Sequence, residues 1–149
     1  MPNPKAQAAA LMASPEDAET QFYEAMRDGD LERLMAVWAD DDEIVCVHPG
    51  GARLVGHAAV RASFEAIFAN GSVVVQPEHV KRVHAMGTAM HSVFERVDIV
   101  TAEGLHVGWI VATNVYVKTA LGWRMVAHHA SPGGAEAPPE IGETPSVLH

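Results

Sequence analysis

The sequence is short of three things: cysteine, positive charge and long apolar runs. It has one cysteine, Cys46, in 149 residues. No intrachain disulfide can form, and a cytoplasmic location is the expectation. Cys46 lies inside an apolar run and reads as a small core hydrophobe rather than a nucleophile. Ten basic residues stand against 19 acidic ones, for a formal net charge of -9. That balance argues against nucleic acid and anionic membrane as partners, since both demand clustered Lys and Arg. The longest basic run is Lys81-Arg82. No apolar run approaches the roughly 18 residues of a membrane span. There is no internal repeat. Nine histidines are present, but without H-x-E-x-H or cysteine-rich spacing, so neither a metal nor a cofactor is expected.

What is present divides into a helical first half and a β second half. Ser14-Pro15-Glu16-Asp17 is a helix start, with a Ser cap, Pro in the first turn and acids at the positive end of the dipole. Ala18, Phe22, Ala25 and Met26 then recur at helical spacing. Asp28-Gly29 ends this helix, and Asp30 caps a second one carrying Leu31, Leu34, Val37 and Trp38 on one face. "EIVCVHPGG", Glu43 to Gly51, reads as a short strand that stops at His48. "GHAAVRASFEAIFANG" is a third helix with Val60, Phe64, Ile67 and Phe68 on one face, closed by Asn70-Gly71. Strand-like segments follow over His79 to Met86, Thr88 to Val100, Leu105 to Lys118 and Trp123 to Ala130, joined by hairpin-type connections. A further extended segment from Val73 is expected to break at Pro77. The pattern predicts an α+β fold of three N-terminal helices packed on a strongly curved, mainly antiparallel sheet. Residues 1–14 read as a flexible leader, 15–132 as the folded domain, and 133–149 as a Pro/Gly-rich flexible tail.

Three segments together carry a resemblance: "FYEAMRDGDLERLMAVWADDDEIVCVHPGG", "LVGHAAVRASFEAIF" and "GWRMVAHHASP". In order and spacing they resemble the nuclear transport factor 2 superfamily, in its SnoaL-like and ketosteroid-isomerase-like branch, over Ala18 to Pro132. The resemblance implies a cone, with helices closing the open side of a bent sheet around a pocket. It also implies a homodimer through the outer face of the sheet. The superfamily hosts isomerases, cyclases, dehydratases and non-catalytic association domains, so fold alone does not give function.

Ketosteroid isomerase uses an Asp base together with a Tyr and a protonated Asp that hold the enolate oxygen. By resemblance, the tyrosine's place falls at Phe22, with Tyr23 one residue off and turned about 100° away. The base falls at His48, before Pro49. The protonated acid falls at Asn114 in "ATNVYV". Steroid isomerisation by that mechanism is therefore not expected. A reduced set survives, with His48 as base and Asn114 as orienting donor.

Asn114 interrupts an apolar strand, and a buried amide needs partners. Period-2 reading groups it with Ile110, Ala112 and Tyr116 on one face. The opposite face, Trp109, Val111, Thr113, Val115 and Val117, is also apolar, which fits a covered sheet and a dimer. On the last strand, parity with the family turns His129 inward and His128 toward the dimer face. Phe22, Met26, Trp38, Phe64 and His129 are the expected lining of a site for an apolar small molecule. Two functions stay open. One is an isomerase, cyclase or dehydratase acting on an apolar carbonyl or cyclic compound. The other is a ligand-binding or association module without turnover.

Overall fold

Helix α1 (Pro15–Asp28) begins where the sequence puts a cap. The Ser14 side chain accepts the Asp17 backbone N–H at 3.0 Å, Pro15 stands in the first turn, and Glu16 and Asp17 sit at the positive end of the dipole. It ends at Gly29, whose φ of 64° closes the helix in the left-handed region. Asp30 then caps α2 (Leu31–Val37) by accepting the Arg33 N–H at 3.1 Å. Short strands β1 (Val45–Val47) and β2 (Leu54–Val55) precede α3 (His57–Ala69), so the third helix follows the first two strands. Four long strands follow among the described residues: β3 (Val74–Ala85), β4 (Thr88–Thr101), β5 (Gly104–Thr119) and β6 (Gly122–Gly134). The structure is a computed structural model that describes residues 10–71 and 73–142.

The six strands form one sheet in the order β2-β1-β6-β5-β4-β3. All neighbouring pairs are antiparallel except β1 with β6, where Val45–Val47 run parallel to Ala127–His129. The three helices cover one face, and Phe22, Leu34, Trp38, Val60, Phe64, Val93, Tyr116 and Met125 are fully or almost fully buried beneath them. At about 25 cal/mol per Å² of apolar surface, this shared core is the dominant stabilising term.

Pro77 does not break β3, because β3 is the sheet's edge strand and its outer side needs no ladder. The irregularity comes two residues later, where the register shifts between Glu78 and Lys81 and His79 takes a φ of 50°. A second register shift matters more. Tyr116 pairs with Met125, but Val115 pairs with Ala127, so Val126 is one residue extra on β6. Such a bulge bends the strand and resets which side chains face the core. Here the Met125 carbonyl accepts the Ala39 N–H at 2.9 Å, tying the segment after α2 to the bulge.

Contacts among the described residues extend past the 15–132 span at both ends. Residues 1–9 of the expected leader and 143–149 of the expected tail lie outside the described residues. Met12, however, is 4% exposed and packs in the core, and its carbonyl accepts the Trp123 N–H at 2.7 Å. Strand β6 continues to Gly134, past the expected end at 132. Met12→Ala is expected to cost roughly 2–5 kcal/mol. Urea unfolding measures this, and an unchanged midpoint would show that the segment before α1 is not part of the domain.

Candidate functional site

Three polar residues sit side by side across the inner face of the sheet. His91 on β4 pairs with Asn114 on β5, which pairs with His128 on β6. All three are buried. From this row a hydrogen-bonded chain runs to helix α1 and back to β4. The Asn114 amide nitrogen donates to the Tyr23 hydroxyl at 2.9 Å, and that hydroxyl donates to Glu95 Oε2 at 2.6 Å. His128 Nδ1 lies 2.5 Å from Asn114 Oδ1. Glu95 and His128 are each 3% exposed, and Asn114 is fully buried. His91, at the other end of the row, bonds Glu19 at 2.7 Å, and Arg82 reaches the same carboxyl at 3.0 Å. Buried polar groups require such partners, and each is supplied from a different element.

Glu95 and His128 both line a cavity of about 160 Å³, the scale that takes one six-membered ring. His48 is the third titratable side chain on it. The rest of its wall is apolar, with Met26, Phe64, Ile67, Val75, Val97 and Ile110 among the lining residues. His48 packs edge-on against Phe64 with ring centroids 4.9 Å apart, and its ring centroid is 6.4 Å from that of His128. Its Nε2 lies 2.9 Å from Ser63 Oγ, which donates to the Val60 carbonyl at 2.7 Å.

Burial dominates the electrostatics. It pushes the Glu95 carboxyl up to about 7, although the Tyr23 bond works the other way. Burial pushes His128 down to about 3, helped by the neighbouring His48 and His129. Burial also lowers His48. The Cys46 thiol rises to about 12 through burial and the nearby Glu95, which leaves it inert as a nucleophile. The Tyr23 hydroxyl is held well above its usual value by burial and then by Glu95. Both imidazoles are therefore neutral at physiological pH, and Glu95 is the group poised to exchange a proton there. No group of three or more His, Cys, Asp or Glu residues is arranged to hold a metal ion among the described residues.

The structure sorts the expected site residues. His48, Met26 and Phe64 line the cavity. Asn114 does not line it; it lies behind Glu95 and His128, bonded to Tyr23 and His128. Phe22 is fully buried against Tyr23, Phe64 and His128, as wall support rather than lining. Tyr23, set aside as turned away, reaches Asn114 and Glu95 because α1 is buried over a broad arc that includes both Phe22 and Tyr23. His129 is exposed and His128 faces inward, the reverse of the expected parity, because the extra residue Val126 shifts the alternation.

Trp38 lies elsewhere, on a groove of about 510 Å³ with Met35, His57, Leu121 and Arg124. That groove is larger, and two of its polar side chains, His57 and Arg124, are bound to backbone. His57 bonds the Ala39 carbonyl, and Arg124 donates to the carbonyls of Ala36 and Leu121. Glu95 was missed because both faces of "HSVFERVDIV" mix apolar and charged residues. Period 2 does group Glu95 with Val93 and Val97, and that was the available signal.

The raised Glu95 carboxyl makes a stability prediction. Its folded value, about 7, lies above the unfolded value, so the folded state binds the proton more tightly. Its contribution is present below pH 4.5 and is lost as pH rises through 7. Glu95→Gln keeps an acceptor for Tyr23 and does not titrate. The variant is expected to gain on the wild type between pH 5 and 8, by an amount on the order of 3 kcal/mol. Urea melts at several pH values measure it, and a difference that does not vary with pH would contradict the burial argument.

Comparison with known proteins agrees with this architecture. A family model described as a SnoaL-like domain matches residues 16–134. A candidate calcium/calmodulin-dependent protein kinase type II association domain from Thiobacillus denitrificans is 41% identical, with a TM-score of 0.75, over 82% of this chain and 97% of that one. A candidate dehydratase of the nuclear transport factor 2-like family from Streptomyces avermitilis is 35% identical, with a TM-score of 0.70, over 77% of this chain and 90% of that one. A nuclear transport factor 2-like protein of unknown function from Pseudomonas putida shares the fold at 21% identity and a TM-score of 0.71. No curated protein matches at a comparable level. With the family model spanning nearly the whole described domain, the chain belongs to the SnoaL-like family of the nuclear transport factor 2-like superfamily.

Proposed function

We propose that the interior of this domain is the closed end of a cone that binds a compact, largely apolar molecule and moves a proton on it, in a dehydration or isomerisation. The observation that carries this reading is the convergence of His48, Glu95 and His128 on one otherwise apolar cavity. Isolated acids and imidazoles are rare in such surroundings without a task. The 35% identical relative described as a dehydratase candidate points the same way.

Glu95 is the proton carrier in this reading. As a carboxylate it takes a proton from carbon next to a carbonyl. The released electron pair forms the double bond, and the C–O bond on the next carbon breaks. The carboxyl then returns its proton to the departing hydroxide as water, so atoms and charge balance. A carboxyl that burial has raised to about 7 performs both halves near neutral pH. His48 holds the substrate's polar end as a neutral imidazole. Asn114 is a positioning residue, acting through Tyr23 and His128. The expected pair of His48 base and Asn114 donor is thus replaced by a carboxyl with two supporting histidines.

The direct test is conversion of 3-hydroxycyclohexanone to cyclohexenone, followed by enone absorbance. Glu95→Gln is expected to lower kcat/KM by about 10²–10⁴-fold and His48→Ala to weaken it through KM. Circular dichroism checks that both remain folded. Wild-type turnover no faster than the buffer reaction would remove this substrate class.

A second reading has its own support. The outer face of the sheet carries Phe94, Trp109, Val111, Val115 and Val117, all half-buried, and the tip of the β4–β5 hairpin exposes Ile99, Val100 and Leu105. The 41% identical relative is described as an association domain. Assembly of copies through this face would cover it, as a homodimer or a larger oligomer. Light scattering at micromolar concentration should find an oligomer that Val111→Glu dissociates. A wild-type monomer would sink this reading.

A further inference from the structure

The polar side chains on the cavity wall have their protons already committed, and this constrains the ligand. Ser63 has one hydroxyl proton, and it goes to the Val60 carbonyl, which can only accept. The contact between Ser63 Oγ and His48 Nε2 at 2.9 Å must therefore be donated by the imidazole. His48 carries its proton on Nε2 and leaves Nδ1 as a lone pair. On the other wall the Tyr23 proton goes to the Glu95 carboxylate, and the Asn114 amide nitrogen donates to the Tyr23 oxygen. This orientation presents Asn114 Oδ1 to His128. His128 must donate through Nδ1 and leaves Nε2 as a lone pair. Glu95 keeps Oε1 free of the Tyr23 bond.

We infer that the cavity recognises a ligand by the hydrogen bonds it donates: a ring-sized, mainly apolar molecule held at this wall by a hydroxyl, with any carbonyl oxygen it carries turned away from the three acceptors. With Glu95 ionised, as above its value of about 7, the three polar side chains His48, Glu95 and His128 present acceptors, and the remaining described lining residues have no side-chain donor. A carbonyl oxygen placed against this wall would face lone pairs and lose its hydration without replacement. A hydroxyl placed there gains a bond to a carboxylate, the stronger class of hydrogen bond. The size of the cavity limits the body to about one six-membered ring. This inference rests on the cavity being the ligand site, and it narrows the substrate to the hydroxylated partner of a dehydration.

Three matched probes separate the two ideas: cyclohexanol, cyclohexanone and methylcyclohexane, titrated into the full chain and followed by amide shifts in NMR. The work is done at pH 8.5, above the Glu95 value of about 7. Groups packed around Glu95 are Tyr23 from α1, Tyr116 from β5, Cys46 and His48 from β1 and its end, and His128 from β6. The alcohol is expected to bind about tenfold more tightly than the ketone. In Glu95→Gln the amide oxygen takes the Tyr23 proton and its NH₂ turns to the cavity, so the preference should shift toward the ketone. Equal affinities, or a tighter ketone, would overturn the inference while leaving the cavity as a ligand site. Failure of all three, methylcyclohexane included, would overturn the cavity reading and the inference with it. A measurement on the wild type needs no variant: ¹⁵N-resolved imidazole spectra should show His48 protonated on Nε2 and His128 on Nδ1. The opposite tautomer at His128 would place a donor on the wall and refute the proposal.

Discussion

A carboxyl group with almost no solvent cannot stay in a protein interior unpartnered. Glu95 meets that constraint through one short bond from Tyr23, and the rest of the interior is arranged around it. The bond joins α1 to β4 across the space between helix and sheet. It spends the tyrosine proton, so the tyrosine oxygen must be fed by Asn114, and Asn114 must in turn be fed by His128. Three residues from three elements, Tyr23, Asn114 and His128, are thereby oriented by the single charge of Glu95. A satisfied network of this kind rigidifies its surroundings, whereas a half-satisfied one would be worse than an apolar core.

The apolar wall and the polar chain have complementary tasks. Phe64, Ile67, Val97 and Ile110 exclude water and so keep the electrostatic effects of the three titratable groups large. The same exclusion keeps both imidazoles neutral. A neutral imidazole has one donor and one acceptor nitrogen, and which is which is decided by a second residue outside the cavity: Ser63 for His48, Asn114 for His128. The chemistry of the wall is thus set by residues that do not line it.

Much of the fold could be read from the chain because it is written in local signals. The Ser14 cap, the Asp28-Gly29 stop, the Asp30 cap and the long alternating strands are each decided within a few residues, and the structure has them where they were expected. His48 could be located because a strand ending before Pro49 is also local. The errors share a different cause. Tyr23 was discounted by treating α1 as a narrow apolar stripe, although its buried arc is broad. Glu95 was hidden because β4 alternates charge on both faces. His128 and His129 were exchanged because inward and outward were counted along an unbroken strand. Each depends on what packs opposite, which the sequence of one element does not carry.

The bulge at Val126 has a consequence for how this family is compared. An inward position on β6 is defined by distance from the bulge, so two relatives that differ by one residue there keep the same side chain in the interior while every outer label slips. Copying residues from one member to another by ungapped counting would then match His129 of this chain to an interior position that His128 occupies. In such a fold the functional address of a side chain is a phase, and it has to be read on the far side of each interruption.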